Sequence, residues 1–302
     1  MSSPARVASD AIDDLPELPV NRRWHLRSPG TFFVCVAVLL VFVFVGVFGP
    51  MLAPQDPNRI DLGGRLLAPA WTSEGTSEHL LGTDDIGRDT LSRLIYGARI
   101  SLIAIAFIIP LATIIGSVMG IAAGWFGGWI SRIMMAIVDI QLALPGILLA
   151  VLLASIFGAS LRNVIIVLVI FLWAAVARIV RSEAISLAER DFVTAARTVG
   201  ASDLRIMGRH ILPNLLNTIV ILATLNVATV IIAEAGLSFL GVGVNQDTIS
   251  WGSMISQGRD YLTISSWLVV IPGLAIISIS LVGNIFGDWL RDALDPQLRN
   301  VK

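Results

Sequence analysis

The chain has 302 residues, of which 55% are hydrophobic and only 14% charged, with a formal net charge of −1 and a mean hydropathy of +0.81. A soluble chain of this length carries about a quarter charged residues, and here the apolar residues fall in runs of about 18 or more, the length a bilayer span needs. A soluble globular protein is excluded, the net charge by itself says nothing about nucleic acid, and the expected class is an all-α integral membrane protein.

Residues 1–28 are polar, with Asp10, Asp13, Asp14 and Glu17 followed by Arg22, Arg23 and Arg27. No short apolar core lies near the start, so this segment reads as a flexible tail and not as a cleaved signal peptide. Six spans follow, expected near 31–52, 100–123, 133–157, 162–181, 214–235 and 267–288. Runs this long and uninterrupted call for helices, since a barrel is built from short alternating strands.

With the N-terminus inside, the inner side collects Arg22, Arg23, Arg27, Arg132, Arg178, Arg181, Arg190, Arg197, Arg205, Arg209, Arg291, Arg299 and Lys302. The outer side holds only Arg59, Arg65, Arg88, Arg93, Arg99, Arg162 and Arg259. The excess of inner basic residues sets this orientation, with both termini cytoplasmic. Trp24, Trp125, Trp129 and Trp289 then form an inner aromatic belt, and Trp251 and Trp267 an outer one.

The first outer loop, 53–99, is rich in Pro, Gly and acids and reads as a small irregular subdomain. Within it, Asp84, Asp85 and Asp89 lack the spacing of a calcium loop. Turn chemistry explains them, with Asp89 capping the helix that runs into Leu91–Leu102. In the second span Gly116, Gly120 and Gly124 repeat every four residues, as do Gly283 and Gly287 in the sixth. This is the spacing of close helix packing in lipid.

The spans lack energy-coupling groups. Asp139, Glu234 and Asp288 all sit toward span ends, and no histidine lies within a span. Proton relays and ion-coupled carriers need an ionisable group at depth, so secondary transport is disfavoured. Asp139 reads as a structural partner or cap, with a role in coupling or gating as the alternative. Cys35 is the single cysteine, so no intrachain disulfide forms, and it reads as a packing residue. His79 and His210 have no second ligand nearby, so no metal site is expected. The only lysine is Lys302. A Walker loop needs a lysine after its glycines, so any ATP that drives this protein is bound by another subunit.

Between the fourth and fifth spans lies a polar cytoplasmic segment. Glu183–Val199 has helical composition, Gly200 suits a left-handed position after a helix, and Ser202 can cap a second short helix with Asp203 in its first turn. Arg205 and Arg209 lie one turn apart, and Pro213 is expected to stop that helix, leaving Asn214 to start the fifth span. The small residues Ala195, Ala196, Gly200 and Ala201 would let another protein approach this corner. The residues alone also allow a plain amphipathic connector.

The segment resembles the EAA loop of ATP-binding-cassette importer permeases. Ala195, Ala196, Gly200, Leu212 and Pro213 match at the family's spacing, with Thr194 in place of the Glu and His210 in place of the Ile. LGTDDIGRDTLSRLIYGARISL (81–102), EAGLSFLGVGV (234–244), WGSMISQGR (251–259) and GDWLRDALDPQLR (287–299) resemble the C-type permease subunit of dipeptide and oligopeptide importers. The resemblance implies a type I importer permease fold with six transmembrane helices, in a bacterial inner membrane. It implies a cytoplasmic tail at 1–28, the first span and extracytoplasmic loop at 29–99, a five-span permease core at 100–290 and a second tail at 291–302.

The resemblance further implies a partner set: a related B-type permease, two ATPase subunits that bind the ATP and Mg, an extracytoplasmic peptide-binding protein, and membrane lipid. The chain itself would be no enzyme and hold no cofactor. Ala195, Ala196, Gly200, Ala201, Ser202, Asp203, Leu204, Arg205, Leu212 and Pro213 would contact an ATPase subunit. Leu237, Ser238, Phe239, Leu240 and Gly241 would line a periplasmic gate or, equally, form a buried structural turn. Related permeases take nickel, haem precursors, glutathione or antimicrobial peptides, and a membrane scaffold or sensor is the reading from a different class.

Overall fold

In hydrocarbon every backbone N–H and C=O must be paired within the chain, and each long apolar run is helical in the computed structural model, which describes residues 29–245 and 248–294. The expected tails, with Arg22, Arg23, Trp24 and Arg27 at one end and Arg299 and Lys302 at the other, lie outside the described residues.

Helix α1 covers Pro29–Leu52 and α2 covers Thr90–Phe126. Helix α2 begins ten residues before the expected span because Asp89 caps it, its carboxylate accepting from the Ser92 N–H at 2.7 Å, which satisfies an orphan first-turn donor. The third expected span, 133–157, is not one helix. Helices α3 (Gly128–Ala143) and α4 (Gly146–Phe157) meet at a 94° bend. Pro145 explains the break: a proline excludes its predecessor from the helical region, and Leu144 is extended at φ −80, ψ 137. The membrane-length helices among the described residues are therefore five single helices and this bent pair.

Helix α5 covers Leu161–Ala188, seven residues beyond the expected end at 181. The helix expected over Glu183–Val199 is thus divided. Its first turns belong to α5, Arg190 is extended at ψ 148, and α6 is only Asp191–Thr198. The break lets α6 turn and lay Val193 and Ala196 on the bundle. Helix α7 (Asp203–Ile206), a π turn (Met207–Ile211) and α8 (Leu212–Phe239) follow. Pro213 does not stop α7; Asp203–Phe239 runs as one apolar helical stretch. The π turn is the reason. The Leu212 N–H reaches back five residues to the Met207 carbonyl, and the widened turn makes room for a ring that would clash in a regular helix. A short helix α9 (Trp251–Gly258) and α10 (Trp267–Leu294) complete the chain.

The centre of the bundle is α2 against α5. A Cβ on Gly116 would lie 2.6 Å from the Trp173 carbonyl oxygen, one on Gly120 2.7 Å from that of Ala177, and one on Gly124 2.8 Å from Ala184 Cβ. The four-residue glycine repeat is therefore a backbone-contact seam, as expected for small residues in lipid. On α10, Gly283 and Gly287 face side chains of α8 more loosely, a Cβ on them lying 3.3 Å from Val227 and 3.0 Å from Leu225. Around the seam lie Ile108, Val164, Val167, Leu168 and Val230, all fully buried. Cys35 is buried at 3% exposure, a packing residue as expected. The bundle thus has two differently built ends: one carries α6, α7 and the π turn, the other carries the 53–89 loop and α9.

Candidate functional site

The first end is a corner built on the bundle. Helix α6 closes with two reciprocal bonds: the Gly200 N–H to the Arg197 carbonyl at 2.9 Å and the Ala201 N–H to the Ala196 carbonyl at 3.1 Å. This pairing demands a left-handed residue between them, and Gly200 sits at φ +78. Ser202 occupies the capping position of α7, yet its side chain makes no capping bond. Its backbone carbonyl instead receives the Ile206 N–H at 3.0 Å.

Val193, Ile206, Ile211 and Leu215 are fully buried with Ile121, Val176, Val180 and Ala184 of α2 and α5. The Arg197 guanidinium lies 4.4 Å from the centre of the Trp125 ring at the end of α2. The outer surface of the corner is the reverse. Val199 is 83% exposed and Leu204 78% exposed, flanked by exposed Ala195, Gly200, Ser202, Asp203 and Arg205.

The expected contact residues divide accordingly. Ala195, Gly200, Ser202, Asp203, Leu204 and Arg205 share the exposed corner, and Ala201 is half-buried. Ala196 turns inward at 8% exposure and anchors the corner to the bundle. Leu212 and Pro213 are exposed, at the head of α8. Val199, the apolar residue just before the helix-ending glycine, shares this exposed face without being among the expected contact residues. Nothing in the sequence pairs Arg197 with Trp125, 72 positions earlier.

The opposite end is a clamp. Helix α9 lies against α8, α2 and the loop before α2. A Cβ on Gly252 would lie 2.6 Å from the Ala235 Cα. Trp251 Nε1 donates to the Leu94 carbonyl at 2.9 Å, over the space that Gly97 leaves open. Arg93, 2% exposed, donates to Gln257 Oε1 at 2.9 Å and lies 3.5 Å from Asp84. Arg88 donates to the same Gln257 oxygen at 3.0 Å and to Asp84 at 2.6 Å. Asp84 also accepts from the Ile86 and Arg88 N–H groups, so this acidic cluster is turn chemistry.

Glu234, placed by sequence reasoning at a span end, is fully buried and accepts from Ser238 Oγ at 2.9 Å. The five residues expected at the gate line two cavities. Ser238 and Gly241 (φ +78) border one of about 520 Å³ together with Arg88 and Ser256. Leu237, Phe239 and Leu240 border an apolar one of about 570 Å³ between α4, α5 and α8.

Among the described residues no group of three potential metal ligands converges. His79 is held by Asp89 at 3.0 Å, and His210 by the Phe192 ring at 6.4 Å. Asp139 forms an exposed ion pair with Arg178 of α5.

Residues 116–300 match the family described as the binding-protein-dependent transport system inner membrane component. The chain belongs to that family. Residues 23–69 of this inner membrane component also match the N-terminal TM domain of oligopeptide transport permease C. It is 37% identical to the dipeptide transport system permease protein DppC of Haemophilus influenzae, over 94% of this chain and 97% of that one. It is 41% identical to the di/tripeptide transport system permease protein DppC of Pseudomonas aeruginosa, over 87% and 86%. With the dipeptide permease of Escherichia coli the identity is 40%, over 94% and 95%. A chain of the inward-facing MetNI methionine ABC transporter aligns with a TM-score of 0.55 at 22% identity, covering 67% of this component and 96% of that chain. That similarity is one of fold, and it places the helices of this component in the type I importer arrangement.

Proposed function

We propose that this chain is the C-type permease subunit of an ATP-driven importer of dipeptides and oligopeptides in a bacterial inner membrane, with both termini cytoplasmic. The observation that carries this reading is the near-full-length similarity to dipeptide permeases. The corner supplies the mechanism: apolar Val199 and Leu204 stand exposed on a support that is itself packed into α2 and α5.

In this reading the chain forms half of a translocation pathway with a related B-type permease. Two ATPase subunits bind ATP and Mg and carry the hydrolysis, and Val199–Arg205 seats in a groove of one of them. Closure of the ATPases on ATP pushes the corner, and the bundle rocks from an inward-open to an outward-open state. A peptide-binding protein on the other side then delivers its cargo past the α8–α9 hairpin. Only a difference in ATP affinity between the two states can drive such a change.

The test is mild-detergent purification of the chain from its native membrane, with mass spectrometry of what accompanies it and an ATPase assay. A paralogous permease and nucleotide-hydrolysing chains are expected, and reconstituted vesicles should accumulate labelled dipeptide but not nickel. Recovery of the chain alone, without ATPase activity, overturns the proposal. Gly200→Trp should insert normally and abolish transport; normal transport by that variant overturns the docking step.

A further inference from the structure

At the corner end a cleft of about 640 Å³ opens between α2, α3 and α5, within the range of ligand-sized sites (~300–1,000 Å³). It serves none of the steps above. Its walls carry Arg132 and Ser131 of α3 and Arg181 of α5, and Gly124, Gly127 and Gly128 leave it free of side chains on one side. Arg181 Nε donates to Ser131 Oγ at 2.9 Å, which holds that guanidinium in place across the two helices. Among the described residues Arg132 has no ion pair or hydrogen bond, while the acid on the wall, Asp139, is taken by Arg178. Three arginines against one aspartate leave a local charge of +2, and α2 contributes only Ala123 and Gly124.

The adjoining face of α3 has the opposite character. Trp129, Ile133, Ile137 and Ile140 are 68%, 52%, 48% and 67% exposed, and their spacing of four, four and three residues forms one stripe along the helix. Trp125 and Trp129 bracket the turn at the mouth of the cleft, where aromatic residues mark the membrane–water interface. A cationic cleft at interface level, continuous with an apolar stripe, matches a molecule with an anionic head and hydrocarbon tails. Basic pockets between transmembrane helices take anionic lipid heads for this reason. The guanidinium fork suits a phosphodiester better than an ammonium would.

We infer that the Arg132–Arg181 cleft binds the headgroup of an anionic phospholipid, with an acyl chain along Trp129, Ile133, Ile137 and Ile140. The inference rests on the chain being an integral membrane permease, but not on its cargo or on its ATPase partners. Occupancy would brace the α2–α3 turn beside Trp125, the residue that carries the corner.

The experiment embeds the full chain in nanodiscs of equimolar phosphatidylglycerol and phosphatidylcholine and measures retained lipid by native mass spectrometry. Preferential retention of phosphatidylglycerol is expected, and in Arg132→Gln/Arg181→Gln the preference should fall by about tenfold. Asp139→Asn removes the competing carboxylate and should raise the preference, a gain that a misfolded variant cannot produce. Equal retention of the two lipids by the wild-type chain, or no rise with Asp139→Asn, overturns the inference. So does displacement of phosphatidylglycerol by millimolar inorganic phosphate, which would assign the cleft to a free anion. Loss of the preference in the complex with its partner permease would assign the cleft to that interface and overturn it equally. Failure to recover ATPases leaves this measurement intact, so the two proposals fail separately.

Discussion

The guanidinium of Arg197 stacks over the indole of Trp125 at 4.4 Å, joining the exposed corner to the end of α2. Beneath this contact Val193, Ile206 and Ile211 are buried among Ile121, Val176 and Val180. In the proposed coupling, a force on the corner would reach α2 and α5 through these packed side chains. These two helices share the glycine seam and cannot slide apart without opening backbone contacts.

Arg197→Ala should lower corner stability by about 0.5–2 kcal/mol, the range of a cation–π contact. ATP hydrolysis by the assembled complex should continue while transported peptide per ATP falls. Trp125→Phe should keep most of the coupling and Trp125→Ala should lose it. The check is paired measurement of hydrolysis and uptake in proteoliposomes.

Val199 and Leu204 bury almost nothing within the chain, so polar replacements there should leave its thermal stability within about 0.5 kcal/mol of wild type. Val199→Asp and Leu204→Asp should nevertheless release the ATPase subunits on purification. Val193→Asp, by contrast, buries a charge in the corner's support and should prevent accumulation of the chain itself. Stoichiometry of the purified complex separates the two outcomes.

Small replacements at Gly200 test the backbone conformation of the corner within the isolated chain. A Cβ there meets open space, but the backbone holds φ +78. Gly200→Ala should cost about 1 kcal/mol and Gly200→Asn less, because Asn tolerates the left-handed region. Thermal unfolding in detergent should give that order.

On the seam the cost is steric. Gly120→Val would drive its side chain into Val180 and the Ala177 carbonyl, and overpacking of this kind costs about 1–3 kcal/mol or more. Expression and thermal stability should fall together. At Gly127 a Cβ meets nothing within 4 Å, so Gly127→Ala should cost only the strain of its φ of +60.

Glu234 joins the opposite end. Glu234→Ala removes the acceptor for the Ser238 hydroxyl, which keeps only the long bond it receives from the Val244 N–H at 3.4 Å, and an unused buried donor costs about 1–3 kcal/mol. Glu234→Gln keeps an acceptor and should cost less. A cysteine placed at Ser256, whose hydroxyl bonds the Phe239 carbonyl at 2.9 Å, should label faster in the Ala variant if the α8–α9 hairpin loosens; unchanged labelling would separate Glu234 from the hairpin.

Much of this protein is legible in its residues because hydrocarbon leaves the backbone little choice. Run length placed the five single long helices, Asp89 marked the start of α2, Gly200 marked the end of α6, and the four-residue glycine repeat marked a close seam. The corner was visible as a polar interruption with small residues, although its inward and outward faces were not separated. Ala196 was grouped with Gly200 and Leu204, yet it belongs to the support.

What only the tertiary structure decided is where a local signal met a competing one. Pro145 bends its span by 94°, whereas Pro213 is absorbed by a π turn and Pro110 and Pro272 lie inside continuous helices. The same ring has different effects because neighbouring helices decide whether the lost bond is replaced. The fixing of Arg197 by Trp125, the burial of Glu234 and the Arg132–Arg181 cleft likewise depend on residues far apart in the chain. Hydropathy and helix period act over a few turns and so are written locally, while partnerships across the bundle exist only once the helices have chosen their neighbours.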